Sequence, residues 1–310
     1  MTGMCKLAAS KFVTSSDVNP LYEVHDCEQI KGEVMKKVRV RNIELSDDKF
    51  FLISGPCVIE EESVMMKAGE TLKKLSEKYD IPVIYKSSFM KDNRSSVDFF
   101  SGPGLDEGLR MLEKIRDTFD LPLLSDIHYP DQVKAAADVL DVIQIPAYLC
   151  MQTILVVEAA QTGKAINIKH GQFIAPENMG KVVKKIESTG NKNILVTERG
   201  YTFGYNDLIV DPRSFHEMRK FDYPVIFDIT HSIRKYGIPS SDPKGGMREY
   251  LPVISRAGVA AGVDGIFIEV HPDPPCAKCD AASQLYLDTL EEFIKPLIEL
   301  HNTEKKYRIK

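Results

Sequence analysis

One cysteine stands where an apolar run of the chain breaks off, and its position suggests chemistry. The run FFLISGPC covers residues 50–57 and ends in a glycine, a proline and Cys57. Because proline cannot donate to a sheet ladder, the strand must end here and present the thiol at its tip. With His231, Glu269 and Asp280, Cys57 would give a mixed ligand set that suits zinc, iron or manganese. The other interpretation is a small buried hydrophobe, since that is the usual fate of a free cysteine.

Cationic side chains form a second group of residues that could take part in chemistry. Five cations that converged on one site would repel each other unless anions were bound, and phosphates and carboxylates are the natural partners. The pattern predicts a dianionic small substrate, or two of them, although each charge alone could be a solvated loop residue. The stretch NRSS at 93–96 is dense in hydrogen-bond donors, as a phosphate site requires. The five cations are Lys86, Lys91, Arg94, Lys169 and Arg199.

From residue 50 onward the chain alternates between apolar runs and amphipathic helical segments. The runs are nearly continuous in apolar residues, which is typical of strands buried on both faces. Eight strand–helix pairs in roughly 250 residues favour a closed (β/α)8 TIM barrel, an α/β fold, over a doubly wound sheet with fewer strands. We predict an N-terminal extension at 1–48, whose alternating segment 38–45 suits a short strand or hairpin, a barrel domain at 49–302 and a basic tail at 303–310.

Polar side chains follow the predicted strands at the point where each strand ends. Barrel enzymes build their sites from the C-terminal ends of the strands, so these side chains should meet at one rim. Turn residues at strand ends would explain one or two of them, but explain poorly the cations in NIKHGQF and VTERGYTF. In chain order the strand ends supply Cys57, Lys86 and Ser88, Asp126 and His128, Gln144, Lys169 and His170, Glu198 and Arg199, Asp228 and His231, and Glu269 and His271.

Composition excludes several classes of protein. The 310 residues are 43% hydrophobic and 27% charged, with a net charge of −5, and no basic stripe indicates a nucleic-acid partner. No apolar stretch reaches the length of a membrane span, and the N-terminus lacks the apolar region of a signal peptide. The six cysteines are too few and too scattered for a disulfide framework. We therefore expect reduced thiols and a cytoplasmic protein. The CxxC at 276–279 has no second CxxC, and we interpret it as loop thiols near the site.

Many motifs occur in an order that resembles one family. They are GPCVIE, KSSFMKDNRSS, GPGLDEGL, SDIH, DVIQIPAYL, INIKHGQF, TERGYTFGYNDLIVD, FDITHS, GGMRE and FIEVHPDPPCAKCD. Together they resemble the 3-deoxy-D-manno-octulosonate 8-phosphate synthases, from about residue 50 to about residue 297. The resemblance implies a TIM barrel, a homotetramer, and a transferase that condenses phosphoenolpyruvate with D-arabinose 5-phosphate and water. The products would be the eight-carbon sugar acid phosphate and phosphate, on the route to lipopolysaccharide or to pectin.

The resemblance also assigns roles to residues. Phosphoenolpyruvate would be bound by Lys86, Lys91, Gln144, Lys169 and Arg199. The sugar phosphate would be bound by Asn93, Arg94, Ser95 and Asp126. The catalytic group would comprise Lys91, Cys57, His231 and Asp280.

Cys57 also places the chain on the metal-dependent side of that resemblance. Metal-independent relatives have an asparagine at this position, and GGMRE resembles the metal-dependent branch. The resemblance therefore implies one divalent ion per subunit, of zinc, iron or manganese, held by Cys57, His231, Glu269 and Asp280. His170 departs from the pattern, because many relatives have a second lysine there.

Two alternatives remain open at this point. A 3-deoxy-D-arabino-heptulosonate 7-phosphate synthase would use erythrose 4-phosphate, but its sugar-phosphate loop reads Lys-Pro-Arg-Thr, where this chain has KDNRS at 91–95. A barrel that binds phosphorylated sugars without turnover is the second alternative. Such a barrel would not need a complete set of catalytic residues. The complete set of site residues in this sequence therefore argues against it.

Overall fold

The computed structural model describes residues 35–94, 96–203, 206–239 and 242–308. Eight parallel strands form a barrel in the order β11-β8-β7-β6-β5-β4-β3-β12, and a pairing between β11 and β12 closes it. This confirms the predicted (β/α)8 TIM barrel. The strands are β1 (Val38–Val40), β2 (Ile43–Leu45), β3 (Phe51–Gly55), β4 (Val83–Lys86), β5 (Leu123–Asp126), β6 (Val142–Ile145), β7 (Ala165–Lys169), β8 (Ile194–Glu198), β9 (Tyr201–Thr202), β10 (Leu208–Ile209), β11 (Val225–Asp228), β12 (Gly265–His271) and β13 (Leu285–Tyr286).

Every residue of the eight barrel strands is buried, which explains why these strands read as continuous apolar runs. Helices cover the outside of the barrel. In α1, for example, the buried positions Met65, Ala68, Leu72 and Leu75 recur every three or four residues and form one apolar face. The helices are α1 (Glu62–Tyr79), α2 (Leu105–Phe119), α3 (Val133–Val139), α4 (Thr153–Gln161), α5 (Met179–Glu187), α6 (Arg213–Arg219), α7 (Leu251–Ala260) and α8 (Leu290–Tyr307).

Gly55 lets the first barrel strand end close to its neighbour. A Cβ atom at this position would lie 2.1 Å from the carbonyl oxygen of Lys86, far inside any real contact distance. Only glycine fits there, and Pro56 then ends the ladder. This local geometry brings Cys57 to the rim beside the end of β4.

The segment before the barrel forms a hairpin of β1 and β2. The backbone N–H of Lys36 donates to the carbonyl of Asp222, and that of Arg39 donates to the side chain of Asn193. Both partners precede barrel strands, so the hairpin covers the N-terminal end of the barrel. At the other terminus α8 extends to Tyr307, into the segment that we predicted as a basic tail.

The helices and the cysteines bear on the expectations about membrane spans and reduced thiols. None of the helices in the described part of the chain combines the length and apolar character that a membrane span requires. The cysteines at 57, 150, 276 and 279 are free thiols.

Candidate active site

A central cavity of about 350 Å³ opens at the C-terminal ends of the barrel strands. Four of the five cations predicted to converge line it, and the fifth, Lys86, is not among the described residues of the lining. Of the predicted site residues, the lining contains Lys91, Asn93, Arg94, Asp126, Gln144, Lys169, Arg199, His231 and Asp280.

The four predicted metal ligands lie together at one side of this cavity. Sγ of Cys57 is 3.2 Å from Oδ2 of Asp280. Nε2 of His231 is 3.5 Å from the same oxygen and 3.8 Å from Oε1 of Glu269. The ligand atoms of His231, Glu269 and Asp280 all lie within 4.8 Å of one another. Segments that are far apart in sequence therefore bring sulfur, nitrogen and oxygen donors around Asp280.

Neighbouring side chains orient these donors. Nδ1 of His231 lies 2.7 Å from Oδ2 of the buried Asp228, which leaves Nε2 directed at the cluster. Nζ of Lys86 donates to Oε1 of Glu269 at 2.6 Å and to the carbonyl of Cys57 at 2.8 Å. Oε2 of Glu269 is buried without a hydrogen-bond partner among the described residues. An orphaned carboxylate oxygen beside imidazole, thiol and a second carboxylate fits a divalent ion.

The electrostatics of the cluster are strongly perturbed. Burial raises the pKa of the Cys57 thiol well above its usual range, and Cys279 and Glu269 add to this effect. Burial would raise the pKa of Asp280, but Arg234 and His231 hold it well below its usual value. Burial would lower the pKa of His231, but Asp228 and Glu269 raise it. A bound cation would lower the pKa values of Cys57 and His231, because metal ligands must give up their protons.

Lys169 is buried in the cavity next to the predicted metal cluster, since its partner Asp228 also contacts His231. Its ammonium pairs with Asp228 and lies 3.3 Å from the ring centre of Phe267. Burial lowers the pKa of Lys169 to about 8, against the raising effect of Asp228. Its charge therefore depends on the buried carboxylate that also holds His231.

Arg199 is fixed at both its backbone and its side chain. Oε1 of Glu198 accepts the backbone N–H groups of Arg199 and Gly200 at 2.8 and 2.5 Å. Nη1 of Arg199 donates to the hydroxyl of Tyr236 at 2.6 Å. His170 supports Glu198 from behind, with Nδ1 3.2 Å from the same carboxylate oxygen. His170, the residue that departs from the family pattern, thus lies behind Arg199. It is not among the described residues that line the cavity.

Lys91 and Asp126 form a charged pair on the next part of the rim. Nζ of Lys91 is 3.9 Å from Oδ2 of Asp126, and the Ser88 hydroxyl donates to the other carboxylate oxygen. Burial would lower the pKa of Lys91, but Asp126 and the other acidic groups nearby raise it well above its usual value. Lys91 is therefore a fixed cation at neutral pH.

The predicted sugar-phosphate loop lies beside the metal cluster. Nη1 of Arg94 donates to Sγ of Cys279 at 2.8 Å, and Nη2 donates to the carbonyl of Lys278 at 3.1 Å. Asn93 is exposed at the cavity mouth. Ser95 lies outside the described residues. Deeper in the cavity, Oε1 of Gln144 accepts a hydrogen bond from Nδ2 of Asn167 at 2.9 Å.

The structure also brings in residues for which the sequence analysis predicts no role. Arg234 donates to Oδ1 of Asp280, and Tyr236 holds Arg199; both lie on the long loop between β11 and α7. Asp228 was visible as a strand-end carboxylate, but its two contacts were not. Tyr148 lines the cavity from the loop after β6. Among these residues only Asp228 has a signal in the sequence, which is its position at a strand end.

Comparisons with known proteins agree with this geometry. Residues 33–306 match the model of the DAHP synthetase I family. A protein of Fusobacterium nucleatum subsp. nucleatum named 2-dehydro-3-deoxyphosphooctonate aldolase is 50% identical over 272 residues, covering 87% of this chain and 98% of that protein. One of the same name from Trichlorobacter lovleyi is 49% identical over 263 residues, covering 84% and 96%. Another from Geobacter sp. (strain M21) is 53% identical over 246 residues, covering 79% and 90%.

Proposed function

Since the chain belongs to the DAHP synthetase I family, we propose that it condenses phosphoenolpyruvate with D-arabinose 5-phosphate and water. The products are 3-deoxy-D-manno-octulosonate 8-phosphate and phosphate. Three relatives that are 49%, 50% and 53% identical carry the name 2-dehydro-3-deoxyphosphooctonate aldolase, and that sugar acid phosphate is the product of this condensation.

One observation supports the proposal most directly: cations on several strand ends line a single cavity. Lys91, Lys169 and Arg199 are buried and line it, and Arg94 lines it from the loop after β4. Among the described residues of the lining, Lys and Arg side chains outnumber carboxylates by five to three. Such an excess of buried positive charge is unfavourable without further anions. Two phosphorylated substrates, one of which also has a carboxylate, supply the anionic groups that such a cavity requires.

We assign phosphoenolpyruvate to the deep part of the cavity. Lys91, Lys169 and Arg199 would bind its phosphate and carboxylate, with Gln144 beside them. The fixing of Arg199 by Glu198 and Tyr236 supports this role, because a held guanidinium loses little freedom on binding. Lys86 would act indirectly, since its ammonium is directed at Glu269 and at the carbonyl of Cys57.

We assign the sugar phosphate to the loop after β4. Asn93, Arg94 and Ser95 would bind its phosphate, and Asp126 would contact the sugar between the two anion sites. For this, Arg94 would exchange its contact with Cys279 for one with phosphate. A phosphate accepts hydrogen bonds from a guanidinium in a planar, two-point arrangement.

The reaction requires a carbon–carbon bond and then loss of phosphate. C3 of the enol phosphate attacks the aldehyde carbon of the sugar, water adds at C2, and phosphate leaves by C–O cleavage. Negative charge develops on the aldehyde oxygen and on the departing phosphate. Lys91, Lys169 and Arg199 are positioned before the reaction and can stabilise that charge without reorganisation. Asp126, whose pKa lies far below its usual value because of Lys91 and His128 despite its burial, stays ionised beside Lys91.

A divalent ion held by Cys57, His231, Glu269 and Asp280 would supply Lewis acidity toward the aldehyde and orient a water molecule. Zinc, iron and manganese suit these ligands. Metal analysis of the purified protein tests this part of the proposal. One ion per chain is expected, and a metal-free protein with full activity would contradict it.

Two further proposals concern the state of the protein in the cell. We infer a homotetramer from the resemblance of the motifs to the synthase family, and a cytoplasmic location from the cysteines at 57, 150, 276 and 279, which are free thiols. Light scattering during size-exclusion chromatography tests the subunit number. A monomer at micromolar concentration would contradict the tetramer.

Phosphate release from phosphoenolpyruvate is the decisive assay. It should require arabinose 5-phosphate, and erythrose 4-phosphate should support little or no release. Lys169→Met should abolish release, whereas Lys164→Met removes a charge just before the same strand, at its opposite end, and should leave the rate unchanged. Faster turnover of erythrose 4-phosphate would assign the chain to the heptulosonate reaction instead. Tight binding of the sugar phosphate without release would indicate the non-catalytic alternative.

A further inference from the structure

A second cysteine lies at the proposed metal centre. Cys279 precedes Asp280 on the loop after β12, and the ligand atoms of Cys57, Cys279 and Asp280 all lie within 4.8 Å of one another. Both thiols are inaccessible to solvent, with exposed fractions of 0% for Cys57 and 1% for Cys279. Cys276, three positions before Cys279, is exposed.

One amide holds the two cysteines in this arrangement. The backbone N–H of Cys57 donates to Oε1 of Gln284 at 3.3 Å, and Nε2 of Gln284 donates to the carbonyl of Cys279 at 2.7 Å. Gln284 is fully buried. Because the same side chain binds both backbones, the two thiols are positioned together on loops that are distant in sequence.

Asp280 joins these thiols to the nitrogen and oxygen donors. It belongs to the group with Cys57 and Cys279 and also to the group with His231 and Glu269. Its backbone has φ of +47°, an unusual conformation for a residue other than glycine. An ion beside Asp280 is therefore within reach of donors from both groups.

Cationic side chains donate hydrogen bonds to three of the possible metal ligands. Lys86 donates to Glu269, Arg234 donates to Asp280, and Arg94 donates to Sγ of Cys279 at 2.8 Å. An apolar environment would suffice for a cysteine that only fills space. The sulfur here instead accepts a hydrogen bond from a guanidinium, just as the two carboxylates accept hydrogen bonds from cationic side chains.

We propose that Cys279 is a second sulfur ligand of the metal centre, so that the bound ion contacts the sulfur atoms of both Cys57 and Cys279. The proposal rests on the metal centre of the proposed function and narrows the class of ion. Two thiolates favour zinc or ferrous iron over the harder manganese ion. Arg94 then donates to a metal ligand in the free protein and would move to the phosphate when the sugar binds, which couples the two sites.

X-ray absorption at the zinc edge counts these sulfur atoms directly. The full chain is stripped with a chelator, reloaded with one equivalent of zinc per chain, and measured without substrate. We expect two sulfur atoms per zinc at about 2.3 Å in the wild type, with the remaining ligands at about 2.0–2.1 Å. Cys279→Ser should show one sulfur atom, and Cys276→Ser, the matched control, should show two.

Each outcome decides a separate point. One sulfur atom in the wild type, together with zinc-dependent phosphate release, overturns the role of Cys279 and leaves the proposed function intact. Two sulfur atoms in a folded Cys279→Ser protein would also overturn it. Failure of the wild type to retain zinc overturns this proposal and the metal centre together. If Cys279→Ser does not fold, the wild-type sulfur count still decides.

Discussion

Replacing Asp228 by asparagine tests how one buried carboxylate sets the charge of Lys169. In the wild type, Oδ2 of Asp228 pairs with the Lys169 ammonium and lies 2.7 Å from Nδ1 of His231. Asparagine keeps the shape but removes the charge. A hydrogen bond to a charged group contributes about 1.5–3 kcal/mol, so the ratio of protonated to neutral Lys169 should fall roughly 10- to 150-fold.

The effect on substrate use depends on pH. Burial lowers the pKa of Lys169 to about 8, so Lys169 is charged below that pH and neutral above it. At pH 8 the charged fraction should fall from about one half to roughly 1–10%, and kcat/KM for phosphoenolpyruvate should fall roughly 5- to 75-fold. At pH 6 the wild-type ratio is about 100 to one, so the same variant should lose at most about threefold.

The assay is phosphate release at both pH values, with the metal content measured in each sample because Asp228 also orients His231. Asp264→Asn is the matched control. Asp264 is a buried carboxylate just before β12, where it pairs with Arg219 at 2.9 Å and with Arg308 at 2.8 Å. This control should lower Tm without changing the pH profile of kcat/KM. An equal loss at pH 6 and pH 8 in Asp228→Asn would refute the link to the charge of Lys169.

Three other predictions concern the sugar-phosphate site, the end of β3 and the metal. Arg94→Ala should raise KM for the sugar phosphate about 10- to 150-fold, the equivalent of one charged hydrogen bond, with a smaller change for phosphoenolpyruvate; unchanged kinetics would remove Arg94 from the site. Gly55→Ala should lower the free energy of unfolding by about 2–3 kcal/mol in a denaturant titration, because its Cβ would meet the Lys86 carbonyl. Gly163→Ala, with φ of +74° and open space, should cost only about 1 kcal/mol, and equal losses would contradict the steric argument. Chelation should abolish phosphate release, and added zinc should restore it. Full activity in a sample that elemental analysis shows to be free of metal would contradict the metal requirement.

Much of the site could be predicted because the fold could be predicted. Once eight parallel strands are recognised, their C-terminal ends must meet at one rim, whatever their separation in the chain. Lys91, Lys169 and Arg199 were placed together for this reason, and the structure brings them to one cavity. The same argument brought Cys57 and Glu269 together, since β3 and β12 are neighbours in the closed barrel.

Contacts between side chains could not be predicted in this way. Lys86 is predicted to bind phosphoenolpyruvate, and its position at a strand end does not reveal that its ammonium also donates to Glu269. A strand-end position does not say which neighbour a flexible side chain will meet. Arg234 and Tyr236 lie on a long loop without periodicity, so no pattern linked them to Asp280 and Arg199.

The sequence by itself determined the barrel, the rim on which the chemistry lies and the residue types that can perform it. Periodicity and strand ends are local properties of the chain, and they survive without coordinates. Only the tertiary structure decided how one side chain is shared between two partners: the carboxylate of Asp228 between Lys169 and His231, and the amide of Gln284 between the backbones of the two cysteines. Such sharing depends on distances of a few ångströms between segments that are far apart in sequence, and those distances are fixed only when the barrel closes.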